Sequence, residues 1–449
     1  MDADQLAGGF PGDAPGELRF ATLAALAGAC TGLVGSIFHL LIDRLIVWPR
    51  WLGEVVEGWA LVGAAAGVTL VCAVLSAFLV RRVAPEAAGS GVQEIEGAME
   101  GLREVRWRRV LPTKFVGGVV AIGSGLALGR EGPTIHIGAS ISAASAEIFG
   151  GTELERRGLL AAGAAAGLAC AFNAPVAAVL FIIEETHDEF PYTFRTYMGV
   201  IVAALASTFV TQLIGGTGPD LPLSAAQAPL GQLPLFFALG AVLGVVGAGL
   251  NASIMWATAL GARCQRRAPY LYTAAVGLAV GALFILLPWA VTGGESVILE
   301  IAPMDLGVGA LLVVAALRFL SLVGSYSSGV PGGVFAPILA LAACVGLAFA
   351  GMARLAAPDA AIVSTAFAIA AMGGLFTASV RAPIVGVALT MELTGSYALA
   401  MPLMATCVAA NLVAQWSGGR PLYAQLLERT LAEAGVKRPA DRAAPKGLA

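Results

Sequence analysis

Charged side chains make up only 12% of the 449 residues, against about 25% in a soluble domain. A chain this poor in charge does not solvate an ordinary globular surface. Its three histidines (His39, His136, His187) show no ligand spacing. The six cysteines (Cys30, Cys72, Cys170, Cys264, Cys344, Cys407) are scattered, five of them in apolar stretches, and read as free thiols. There is no HExxH and no GxSxG, and no histidine lies near a candidate nucleophile, so an intramembrane hydrolase has no support. The chain is expected not to be an enzyme, and to need no cofactor, metal or nucleic-acid partner. The first 18 residues lack Lys and Arg, which excludes a secretory signal peptide. Basic residues are also missing between Arg195 and Arg263 and between Arg267 and Arg318.

The bulk of the chain is apolar: 58% hydrophobic residues and a mean hydropathy of +0.83. Apolar runs recur from Phe20–Val47 to Leu403–Trp416. Several, among them Val308–Leu322 and Ile362–Phe376, fall short of the ~20 residues of a full membrane span, and many of the 57 glycines interrupt others. Short, broken helices place irregular backbone at membrane depth, where only surrounding protein or a water-filled cavity tolerates it. That is transporter or channel architecture: an all-α polytopic membrane protein. The basic clusters at Arg81-Arg82, Arg103 to Arg109 and Arg263 to Arg267 predict the cytoplasmic face. The loops near 215–232 and 289–306 face outward.

Glu131 is the most informative residue. It lies in Leu128-Gly129-Arg130-Glu131-Gly132-Pro133 between long apolar segments, and an ionisable group at membrane depth marks an ion or proton path. The Gly-x-x-Gly-Pro turn predicts a helix that starts inside the bilayer with its amides free for an anion. The sequence also repeats itself. At a shift of 204 residues, Lys114-Phe115 falls on Arg318-Phe319, Ser124-Gly125 on Ser328-Gly329 and Pro133 on Pro337. Likewise Gly89 falls on Gly293 and Glu96 on Glu300. At 208, Ala174-Pro175 falls on Ala382-Pro383, Glu184 on Glu392 and Thr186 on Thr394. Two halves with broken helices point to a midplane site, and the charge pattern suggests that they are inverted. Glu131 then has Phe335 as its twin.

Four segments must converge on that site: Gly89-Ser90-Gly91, the Glu131 turn, Gly332-Gly333-Val334-Phe335-Ala336-Pro337 and Pro421-Leu422-Tyr423. Helix starts and neutral hydroxyls without a central Lys or Arg make a moderate anion site, which ions can enter and leave. Read as GSGVQ, GREGP and GVFAP with Tyr423, these segments resemble the CLC family of chloride channels and chloride/proton antiporters over residues 20–435. Gln93 stands where the family usually has proline, a change expected to soften the turn behind Ser90.

The resemblance implies a homodimer in the cell inner (plasma) membrane, contacting lipid, with one pathway per subunit. It implies a central chloride held by Ser90, Tyr423 and the amides of Val334 and Phe335, with Ala336 alongside. The amides of Arg130, Glu131 and Gly132 are implied to line an outer site, with Glu131 as the gating, proton-carrying glutamate. It implies structural roles for Lys114 and Glu96. Serine at 90, in place of the proline of some plant members, argues for chloride over nitrate. The serine motif and the tyrosine together also argue against the family's fluoride exporters.

A second acid decides antiporter against channel. By spacing from Ala174-Pro175, the glutamate that delivers protons from the cytoplasm in the family's antiporters is Glu185, with Glu184 pointing elsewhere. The bland reading is a charged helix end that includes His187, Asp188 and Glu189. Lys114 and Arg318 are expected to pair with acids such as Glu96 and Glu300, and His136 to be packed or pore-flanking.

The expected function is exchange of chloride for protons. The alternative is a passive voltage- or proton-gated chloride channel on the same scaffold. The expected divisions are an N-terminal cytoplasmic segment (1–18), a first membrane repeat (19–215), an external loop (216–232), a second repeat (233–420), a C-terminal helix (421–435) with Leu426, Leu427 and Leu431 on one face, and a polar tail (436–449).

Overall fold

The computed structural model describes residues 14–186, 193–223, 225, 228–304, 306–359 and 361–436. The expectations for His187, Asp188 and Glu189, for the start of the N-terminal segment and for the tail from 437 onward lie outside these residues. The first half runs through α1 (Ala14–Leu45), α2 (Trp48–Gly53), α3 (Gly58–Val83), α4 (Val92–Met99), α5 (Trp107–Gly123), α6 (Glu131–Phe149), α7 (Glu153–Phe172), α8 (Pro175–Glu185) and α9 (Phe194–Gly215). The second follows with α10 (Leu233–Arg267), α11 (Leu271–Leu286), α12 (Glu295–Ile301), α13 (Val308–Ser327), α14 (Phe335–Ala356), α15 (Ser364–Val380), α16 (Pro383–Thr394) and α17 (Ala400–Trp416). Last comes α18 (Leu422–Glu433). Among the described residues, seven helical segments are long and apolar enough to cross a membrane. The remainder are shorter or less apolar, such as α8 with 11 residues and α16 with 12.

The apolar run Gly158–Ile183 reads as one segment in the sequence, but the structure breaks it into α7 and α8. Pro175 has no N–H to donate, and its ring drives the preceding residue out of the helical region. Asn173 closes α7 with φ 50°. The second half repeats the device 208 residues later, where Arg381 (φ 76°) closes α15 and Pro383 opens α16. The break is invisible to hydropathy because both sides of it are apolar.

The two halves are tied by a reciprocal pair of caps. Glu184, at the end of α8, accepts from the first amides of α16, Ile384 N–H at 3.3 Å and Val385 N–H at 2.9 Å. Glu392, near the end of α16, accepts from Val176 N–H at 3.2 Å and Ala177 N–H at 2.6 Å, at the start of α8. Each carboxylate satisfies amides that lack an intrahelical acceptor and meets the positive end of the helix dipole. Residue i capping j while i's twin caps j's twin is the mark of a two-fold relation, so the halves form the inverted repeat that the matched positions predict.

Within each half, helices meet at backbone distance. A Cβ on Gly163 or Gly138 would strike the main chain of the other helix of the α6–α7 pair. Small residues at such crossings are how membrane helices gain packing where apolar burial gives no advantage over lipid. α18 lies against α4 with Leu422, Tyr423, Leu426, Leu427 and Leu431 buried, the face expected of it.

Candidate functional site

Three loops from the two halves are knitted together by main-chain bonds. Gly89 N–H donates to Val330 O at 3.1 Å and Gly332 N–H to Gly89 O at 3.0 Å. Gly129 and Gly333 exchange bonds of 2.9 and 2.7 Å. Gly91 turns the chain into α4 with φ 92°, a left-handed conformation natural to glycine. Side chains are excluded from this knot for a further reason: a Cβ on Gly333 would strike the Glu131 carboxylate, and one on Gly132 would meet Ser90. Gln93 is the second residue of α4. The first amides of a helix have no intrahelical partner, so proline and glutamine both fit there. Gly89 and Gly91 set the turn ahead of it, with φ 59° and 92°.

Glu131 is the first residue of α6 and is fully buried. Its Oε1 accepts from Phe335 N–H, the first amide of α14, at 2.6 Å, and the next amide, of Ala336, also faces it. The acid of one half thus occupies the helix start of its own twin. A carboxyl oxygen sits where the amides of an N-terminus attract an anion. Glu131 Oε2 has no hydrogen-bond partner among the described residues.

Ser90 and Tyr423 are fully buried beside this carboxylate, and neither Ser90 Oγ nor Tyr423 Oη has a hydrogen-bond partner among the described residues. The Phe335 ring joins these parts. It meets Tyr423 at 5.9 Å, Phe376 at 4.8 Å and Phe181 at 5.4 Å between centroids, each edge-on, and stacks on Phe172 at 6.4 Å. All four expected segments therefore converge. The result is a buried place lined by neutral donors and helix starts, suited to hold an anion and release it again.

The end of α8 separates the two neighbouring acids. Glu185 is four residues beyond Phe181, on the same stripe of the helix, and within electrostatic reach of Tyr423. Glu184 is turned away to cap α16. His136 is buried with its ring against Gly91, which matches the packed reading.

The pairing expected for the buried cations is corrected. Lys114 Nζ donates to Ala87 O at 3.0 Å and Gly89 O at 2.7 Å. Arg318 donates to the carbonyls of Trp289, Val291, Thr292 and Gly293 at 2.7 to 3.3 Å. Glu300 instead accepts from Trp289 Nε1 at 3.0 Å, and Glu96 lies buried on α4. A cation at each matched position holds the loop ahead of α4 or α12 by its carbonyls. Loop carbonyls have no ladder to join, which is why they outcompete the carboxylates.

Three acids went unnoticed in the sequence. Arg130 points its guanidinium at Asp43 (3.7 Å), Asp220 (3.5 Å) and Glu295 (3.1 Å). They come from the end of α1, the outer loop and the start of α12, with no shared spacing to reveal them.

This fold and site define a class, and the chain belongs to the voltage gated chloride channel family, whose model matches residues 71–415. Among particular relatives, it is 43% identical over 419 residues to the H(+)/Cl(-) exchange transporter ClcA of Vibrio cholerae serotype O1 (strain M66-2), covering 91% of this chain and 89% of that one. It is 39% identical over 442 residues to the ClcA of Salmonella paratyphi B (strain ATCC BAA-1250 / SPB7), covering 96% and 93%. A slow cyanobacterial Cl-/H+ antiporter superposes with a TM-score of 0.88 at 35% identity, over 93% of this chain and 99% of that one. A CLC-type fluoride/proton antiporter shares the fold, with a TM-score of 0.73 at 18% identity, over 90% and 97%.

Proposed function

We propose that this protein exchanges chloride for protons across the cell inner membrane. The observation that carries the reading is the Glu131 carboxylate seated on the amide of Phe335. A carboxylate and a chloride compete for one set of amides, and only the carboxylate can take up a proton. Protonation removes the charge that the helix start attracts, Glu131 leaves the amides, and chloride replaces it. On return, Glu131 gives up its proton and displaces the ion.

In this reading Ser90, Tyr423 and the amides of Val334 and Phe335, with Ala336, hold the central chloride. The amides of Arg130, Glu131 and Gly132 line the outer position. Glu185 passes protons between the cytoplasm and Glu131. Lys114 and Arg318 keep the loops of the site in place, and Glu96 packs beneath. The exchange activity named for the Vibrio and Salmonella relatives supports the same assignment. The protein acts as a homodimer in lipid, with one path per subunit.

Purified protein in vesicles tests the reading. A chloride gradient should drive protons uphill; chloride movement with no proton movement would establish the passive channel instead. The dimer is checked by the mass of the protein in detergent, expected at twice 45.4 kDa.

A further inference from the structure

Tyr326 is the next-to-last residue of α13, and its side chain is buried. The 204-residue shift pairs it with Ile122, which is buried near the end of α5. The first half thus fills the equivalent place with a side chain that carries no polar atom. The second half puts a phenol there, and Tyr326 Oη has no hydrogen-bond partner among the described residues. Burying a hydroxyl without a partner is unfavourable, and such an atom calls for a partner from outside the chain.

Its surroundings indicate what kind. A Cβ on Gly89 would meet Tyr326 Oη at 3.2 Å, so the hydroxyl lies directly on the Gly89-Ser90-Gly91 turn. It faces the main chain of Ser90. Tyr423, whose own hydroxyl faces the Ser90 side chain, is within its electrostatic reach. Ser90 Oγ, Tyr423 Oη and Tyr326 Oη are therefore three buried hydroxyls around one turn, and none has a hydrogen-bond partner of good geometry among the described residues. Lys114, the nearby cation, is committed to carbonyls. A halide accepts from all three without directional preference.

We propose that Tyr326 donates its hydroxyl to the same anion as Ser90 and Tyr423, and so sets both the affinity of the site and its preference among anions. This rests on the reading of Ser90 and Tyr423 as chloride ligands. Three O–H donors favour a small ion of concentrated charge over larger ions that accept hydrogen bonds weakly, such as bromide and thiocyanate.

Tyr326→Phe removes one oxygen and leaves a side chain as apolar as that of the twin position. The experiment compares it with Tyr423→Phe and Ser90→Ala in the full-length protein. Chloride binding is followed by titration calorimetry, and anion preference by efflux from vesicles. Tyr326→Phe is expected to weaken chloride binding about tenfold and to narrow the preference over bromide and thiocyanate, without lowering the unfolding temperature. Unchanged affinity and preference in Tyr326→Phe, with both reduced in the other two variants, would overturn the role of Tyr326 alone. Unchanged chloride binding in all three variants would overturn the chloride site itself.

Discussion

Two residues at equivalent places, Glu131 and Phe335, carry opposite chemistry. The amide of Phe335 binds the carboxylate of Glu131, while the Phe335 ring packs against Phe172, Phe181, Phe376 and Tyr423. A helix start that holds an anion at this depth needs the site dry, and the ring cluster supplies that. In the proposed exchange, gating is a matter of one charge. Glu131→Gln keeps the shape and loses the ionisable oxygen, so chloride flux is expected to continue while proton transport is lost. Glu185→Gln is expected to give the same separation by a different route, because protons then fail to reach Glu131. Paired measurements of chloride efflux and proton uptake in vesicles check both. Retained coupling in Glu185→Gln would reassign the inner proton acceptor.

At the scale of elements, the reciprocal caps of α8 and α16 deserve as much weight as the site. Both helices open with proline after a left-handed residue, so their first amides have no other acceptor near. Replacing Glu392 by Gln removes a charge from the positive end of α8. The loss is expected to be about 0.5–2 kcal/mol, read as a lower unfolding temperature in detergent. Glu184→Gln should cost a similar amount at α16, since the two are related by the two-fold. Because Glu184 faces that helix and not the Phe335 cluster, its variant is expected to keep coupled proton transport, in contrast to Glu185→Gln one residue away.

At the scale of the whole molecule, Arg130, next to Glu131, joins both halves. Asp43 and Asp220 come from the first half and the outer loop, and Glu295 from the second half. Three carboxylates around one guanidinium make an acidic cluster beside the position proposed for the outer chloride. Its field slows the approach of chloride and is screened by salt. Glu295→Gln is therefore expected to lower the external chloride concentration for half-maximal exchange by roughly two- to fivefold at low ionic strength. The difference should shrink when an impermeant salt is added. A change that persists in high salt would point to altered geometry and not to charge.

Membrane residence, the duplication, the four converging segments and the pair Glu131–Phe335 were legible in the chain alone. Each is written in local chemistry: low charge, glycine and proline at fixed offsets, an acid where acids are unfavourable. The matched glutamates 184 and 392 were visible too, but their partners were not, because a cap is a contact between the end of one helix and the start of another. The same reason hid the carbonyl anchors of Lys114 and Arg318, the three acids around Arg130, and Tyr326. Sequence spacing reports what lies along one helix face or within one turn. Which carbonyl, amide or hydroxyl comes within about 3 Å of a side chain depends on how the two halves close on each other, and only the folded chain determines that.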